Sequence, residues 1–150
     1  MKSVFKPADV IELIYRVNKL TPDSPAQWGK MTVAQMLAHL NVAYEMVFTD
    51  KHPRPNILMR LILTAFVKQT VVGPKPYKHN SPTAPAFLIK GDKDFIAEKT
   101  RLLSHIHQTQ QLGEGYFHNK ASNSFGKLTA AEWNVMFYKH LDHHLTQFGV

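Results

Sequence analysis

The apolar residues of this chain recur at helical spacing, and no stretch keeps the alternation of a half-buried strand. Pro7 suits the first position of a helix, and a stripe of Val10, Ile11, Ile14, Val17 and Leu20 follows it. That pattern predicts a first helix running to about Lys19. Thr21-Pro-Asp-Ser-Pro25 then has the composition of a loop. A second helix opens where Thr32 and Gln35 stand at capping-box spacing, with Met31 and Met36 at the staple positions. The last helix repeats the device with Thr129 and Glu132, flanked by Leu128 and Trp133. These two helix starts read almost alike, Gly29-Lys-Met-Thr32 against Gly126-Lys-Leu-Thr129, but the agreement ends soon after and does not make a repeat protein.

Between these two helices the pattern predicts a short apolar helix over about 56–72 and a longer helix over about 92–112, stopped by Gly113. They flank a proline-rich loop, Gly73 to Pro85, with Pro74, Pro76, Pro82 and Pro85. A loop of that length in a compact domain either serves function or covers a surface. The expected architecture is all-α: four main helices plus one short extra helix, a bundle with a long crossover, forming one domain over residues 1–150.

Composition narrows the chemistry. The chain has 150 residues with 44% apolar and 19% charged content, the balance of a globular protein. It contains no cysteine, which excludes a disulfide scaffold, a zinc ribbon, an iron–sulfur cluster and a cysteine nucleophile. The net charge of +7 comes from one segment: Lys51, Arg54, Arg60, Lys68, Lys75, Lys78 and Lys90 lie between positions 51 and 91 with no acidic residue among them. The rest of the chain is neutral, which argues against a nucleic-acid-binding coat. Asp9 and Glu12 fall where a signal peptide needs an apolar core, and Arg60, Lys68 and Gln69 interrupt the most apolar run. A cytoplasmic protein without membrane association is expected.

Any metal site must therefore use His, Asp or Glu, and there are nine histidines. On the wheel of the last helix, His140 and His144 fall in the middle of the apolar stripe of Trp133, Met136, Phe137, Leu141 and Phe148. Two imidazoles at i, i+4 can share a metal ion, or they can be core histidines satisfied by hydrogen bonds. His39, at the flank of the second helix's stripe, can join them if the two helices are neighbours, completing a three-nitrogen site with open positions. Leu141 follows His140, so the pair is not the His-Glu-x-x-His motif of zinc proteases. Glu45 and Asp142 point away from these histidines on their wheels, so no general base stands beside the triad.

The segments Trp28-Gly-Lys-Met-Thr-Val-Ala-Gln-Met-Leu-Ala-His39, Phe125-Gly-Lys-Leu-Thr129 and Lys139-His-Leu-Asp-His-His-Leu-Thr-Gln-Phe-Gly149 resemble the DinB-like superfamily, within a branch of unknown function. The resemblance implies a four-helix bundle and a divalent metal, zinc or nickel, on His39, His140 and His144. It further implies a metal-dependent enzyme acting on a small molecule, by S-transfer to a thiol or by hydrolysis, and a homodimer. A non-catalytic bundle that binds a ligand or a protein is the alternative. His143 has no place in that triad.

Other features read as follows. Ile57 to Val67 is apolar on almost every face, as expected of a helix buried between the bundle and a dimer partner; a membrane-surface helix or a pocket lid are the other readings. Lys75, Lys78, His79 and Lys90 form either a solvated loop or an anion site. His105 and His107 are expected to do no more than sit near a helix C-terminus. His118, just before the last helix, has no assigned role.

Overall fold

The computed structural model describes residues 2–150, and it is predominantly α-helical. Six α-helices are present among the described residues: α1 (Pro7–Lys19), α2 (Val33–Phe48), α3 (Ile57–Phe66), α4 (Lys68–Val72), α5 (Phe95–Phe117) and α6 (Ala130–Gln147). Helices α1, α2, α5 and α6 pack together around the core. Among the described residues, no helix is long and apolar enough to cross a membrane.

The starts of the helices follow the sequence signals closely. Pro7 stands in the first turn of α1. Thr32 and Thr129 each accept a hydrogen bond from the backbone N–H three residues on, while the side-chain oxygens of Gln35 and Glu132 accept one from the cap residue's own N–H. The two caps have nearly identical backbone angles, φ −70° and ψ 162° against φ −70° and ψ 161°. Gly29 and Gly126, three residues before each cap, both adopt the positive φ that glycine tolerates best (83° and 72°). The near-duplicated text thus encodes near-duplicated local geometry.

The core is built where these helices meet. Leu13 and Val17 of α1, Leu37, Leu40 and Tyr44 of α2, Leu102 and Ile106 of α5, and Phe137, Leu141 and Leu145 of α6 are all buried. Tyr44 stacks on Phe137 at 4.7 Å, and Phe117 sets its edge against Trp133 and Phe137. On the first helix the stripe shifts from its expectation: Leu13 is fully buried, whereas Ile11 faces solvent. Between α2 and α5 the core turns polar. Fully buried Asn41 donates to the carbonyl and carboxylate of Glu98, Glu98 pairs with Arg101, and Arg101 pairs with Glu45.

Four local expectations need correction. A two-stranded antiparallel hairpin, β1 (Lys120–Ser122) with β2 (Gly126–Leu128), precedes α6. Three-residue strands are too short to show alternation, and this pair is set by its turn, where Ser122 Oγ accepts from Phe125 N–H. The short apolar helix is two helices, broken at Val67. Gly113 interrupts α5 at φ 67° and ψ 178°, as a helix-stopping glycine would, but the chain then winds a further turn to Phe117. Finally, no side chain of α3 is buried within the chain.

Candidate metal centre

His39 projects from the middle of α2, and His140 and His144 stand one turn apart on α6. The packing of α2 against α6 brings all three rings together. Each offers a ring nitrogen, and those nitrogens lie within 4.8 Å of one another. The ring centroids are 4.5 to 5.0 Å apart. His39 and His144 are buried, and His140 keeps part of its surface open.

The hydrogen bonds around the triad decide which nitrogens face inward. A carbonyl oxygen can only accept, so His39 Nδ1–H donates to the Phe87 carbonyl at 2.9 Å. The neutral ring then carries a bare lone pair on Nε2. Gln147 Nε2 donates to the Trp28 carbonyl at 2.6 Å, which turns Gln147 Oε1 toward His144. His144 Nδ1–H donates to that oxygen at 2.7 Å, leaving the Nε2 of His144 bare as well. His39 Nε2 also lies 2.9 Å from His140 Nε2. Two nitrogens at that distance must share a proton or bind a common cation.

Electrostatics favour the same state of the rings. Burial pushes the pKa of His144 down to about 3, and the neighbouring His39 adds to the effect. His140 is held well below the ordinary imidazole value by burial and by the rings of His39 and His144. His39 is also lowered by burial, against the opposing hydrogen bond to Phe87. Neutral imidazoles are the metal-ligating form. Three neutral nitrogens, two of them oriented from behind by a carbonyl or an amide, fit the donor set of a divalent ion of borderline softness.

The proline-rich loop covers this centre. The Phe87 and Tyr77 rings stand 5.7 and 6.5 Å from His140. Lys139 anchors the loop from below. It is buried, lies beneath the Tyr77 ring, and its Nζ donates to the carbonyls of Thr70 (2.8 Å), Gly73 (2.5 Å) and Lys75 (3.2 Å). A cavity of about 170 Å³, with Trp28, Tyr77, His79, Asp142 and His143 but none of the triad in its lining, adjoins the centre through His143. Trp28 stacks on His79 at 3.8 Å, and His143 sets its edge against both Trp28 and the ring of His144. A larger cavity of about 360 Å³ lies elsewhere, between His52, Arg54, Lys120 and Asn123, and likewise has none of the triad in its lining.

All three histidines expected at the site thus come together. Glu45 is spent on Lys51, His52 and Arg101, and Asp142 on Arg16, so neither carboxylate reaches the centre. His118 ends α5 in an exposed position, and His107 is exposed on the same helix. His105, expected only near a helix end, instead faces Asn41 Oδ1 at 3.0 Å and stacks on Tyr44. The residues behind the three histidines are not marked out by any motif in the sequence. Gln147 carried a signal, because it lies three residues from His144 on one helix face. The Phe87 carbonyl carried none, because any residue type supplies a carbonyl.

An all-α fold with a buried three-imidazole cluster describes the class. Nearly the whole chain, residues 5–149, matches the model of a family described as "Protein of unknown function (DUF1569)", and the chain belongs to that family. No curated protein and no solved structure matches it.

Proposed function

We propose that His39, His140 and His144 hold one divalent metal ion, zinc or nickel, and that the protein is a metal-dependent enzyme of DinB-like type acting on a small molecule. The observation that carries this reading is the convergence of the bare Nε2 atoms of His39 and His144 beside His140, with the Phe87 carbonyl and Gln147 behind them. The resemblance of the three motifs to the DinB-like superfamily supports it, and makes S-transfer to a thiol or hydrolysis the reaction classes to test.

Bound there, the ion would supply Lewis acidity and lower the pKa of a water or thiol in a remaining coordination position. The chain's own residues do the rest. Phe87 and Gln147 hold the ligand rings in one tautomer and orientation. Tyr77 and Phe87 limit water beside His140. The small cavity at Trp28, His79 and His143 offers space for a substrate group next to the centre. A second reading, a bundle that binds a ligand or protein without catalysis, draws on the commitment of Glu45 and Asp142 to ion pairs elsewhere.

Metal analysis of protein purified without a histidine tag tests the proposal. About one ion per chain, lost in His144→Ala, is the expected result. Metal-free protein whose stability is unchanged by His144→Ala would refute it. If metal is present, turnover of thiol and electrophile panels separates the enzyme from the binding module.

A further inference from the structure

Lys139 carries a charge that no carboxylate balances. It is only 6% exposed, and its Nζ has three partners, the carbonyls of Thr70, Gly73 and Lys75. Three acceptors require three N–H donors, which only the ammonium form possesses. Among the described residues it forms no ion pair. A buried charge without a counter-ion is costly, and carbonyl dipoles offset part of that cost only. Lys139 also lines the cavity of about 170 Å³ that adjoins the triad through His143.

Two donors in the same lining are unspent. The indole Nε1–H of Trp28 is shielded from solvent and donates to nothing in the chain, which destabilises the fold unless a ligand or water accepts from it. Thr146 accepts from Arg16 Nη2 at 3.2 Å, so its own hydroxyl proton is free to donate. The carboxylate in the lining, Asp142, is bonded to Arg16 Nη1 at 2.7 Å. Arg16 thus cancels Asp142, and the Lys139 charge is left over.

We propose that this cavity is an anion subsite, and that it holds the carboxylate of the small molecule on which the metal centre acts. Trp28 Nε1–H and the Thr146 hydroxyl donate to the carboxylate oxygens, and Lys139, whose protons are all engaged, supplies the balancing charge through space. That the bound acid is the substrate's rests on the metal-dependent reading; the anion subsite itself does not. The space is smaller than the roughly 300–1,000 Å³ of a whole-ligand pocket, so it suits one end of a molecule. The His143 ring lies 5.7 Å from Trp28 and 5.0 Å from His144, and an acid held here directs the remainder toward the triad. The aromatic rings do not make a cation cage: His79 covers a face of Trp28 at 3.8 Å, and the Lys139 ammonium already lies 4.6 Å from the Tyr77 centroid. A phosphate would bring more oxygens and more charge than the free donors and the single unbalanced cation can meet.

Titrating chelator-treated, nitrogen-15-labelled full-length protein with propionate at pH 7.5 tests the subsite without the metal. The chain has two tryptophans, and Trp28→Phe identifies the Trp28 indole signal by its loss. That signal should move saturably, with a dissociation constant on the order of 1 mM. The Trp133 signal should stay still, because its Nε1–H is already bonded to the Lys120 carbonyl at 3.3 Å. Propionamide, which has the same shape without the charge, should bind about tenfold more weakly or less. Trp28→Phe keeps a ring against His79 and removes the indole N–H, so affinity read at the Thr146 amide should fall about tenfold. No saturable shift at Trp28, equal affinity for propionamide, unaltered affinity in Trp28→Phe, or tighter binding of inorganic phosphate would each overturn the proposal. The two readings fail separately: a flat titration leaves the metal centre standing, whereas protein that is metal-free as purified but binds propionate at Trp28 loses the metal centre and keeps the anion subsite.

Discussion

Acidification should unfold the metal-free protein far more readily than its net charge would suggest, because the triad is built to stay neutral. Histidines in the unfolded chain titrate near 6.5. In the folded state His144 is pushed down to about 3 by burial. Between those values the unfolded chain binds a proton that the folded chain refuses, so stability falls as pH falls from about 6.5 toward 3. At pH 5 the unfolded state sits 1.5 units below its own pKa, a loss of about 2 kcal/mol from His144 alone. His140 and His39 are shifted in the same direction and add to the loss. Urea unfolding in the presence of a chelator at pH 7.5, 6 and 5 reads this directly. With a denaturant slope of ~1–3 kcal/mol per M, His144 alone should move the midpoint by about 1 M. His144→Gln removes one titrating group and should reduce the pH-dependent loss by about 2 kcal/mol. Equal midpoints at pH 7.5 and 5, or an identical pH dependence in the variant, would refute the reasoning.

Three further predictions concern the residues behind the site. Gln147→Leu removes the acceptor that orients His144, so metal affinity should fall about 10- to 100-fold in a chelator competition, while the helical content is retained. Gly29→Ala and Gly126→Ala impose a similar backbone strain of about 1–2 kcal/mol at their positive φ, measurable as a shift in urea midpoint. Only at Gly29 would the new Cβ meet Gln147 Nε2, at 2.6 Å, so only Gly29→Ala should also weaken metal binding. Lys139→Met leaves the carbonyls of Thr70 in α4 and of Gly73 and Lys75 in the loop without their shared donor and should cost about 2–4 kcal/mol, with faster proteolysis of the proline-rich loop.

Much of this protein follows from local rules acting on its sequence. The Thr32 and Thr129 caps, the Pro7 start and the apolar stripe of the last helix depend on neighbours within a turn, and each stands where the pattern puts it. The His140–His144 pair is legible for the same reason, since a four-residue spacing on a helix fixes two side chains on one face. His39 is 101 positions from His140, and no local rule joins them. Only the packing of α2 against α6 does. The tautomers likewise rest on tertiary partners, a carbonyl at Phe87 and an amide turned by Trp28, because hydrogen-bond direction depends on what lies across space. The basic segment shows the division most clearly. Its seven positive charges can be counted in the sequence, but that its proline-rich loop lies over a cluster of neutral imidazoles, while the rest of the chain leaves its apolar helix α3 unburied, was decided by the fold. Local periodicity sets which face of a helix is apolar; what that face meets depends on contacts between residues far apart in the chain.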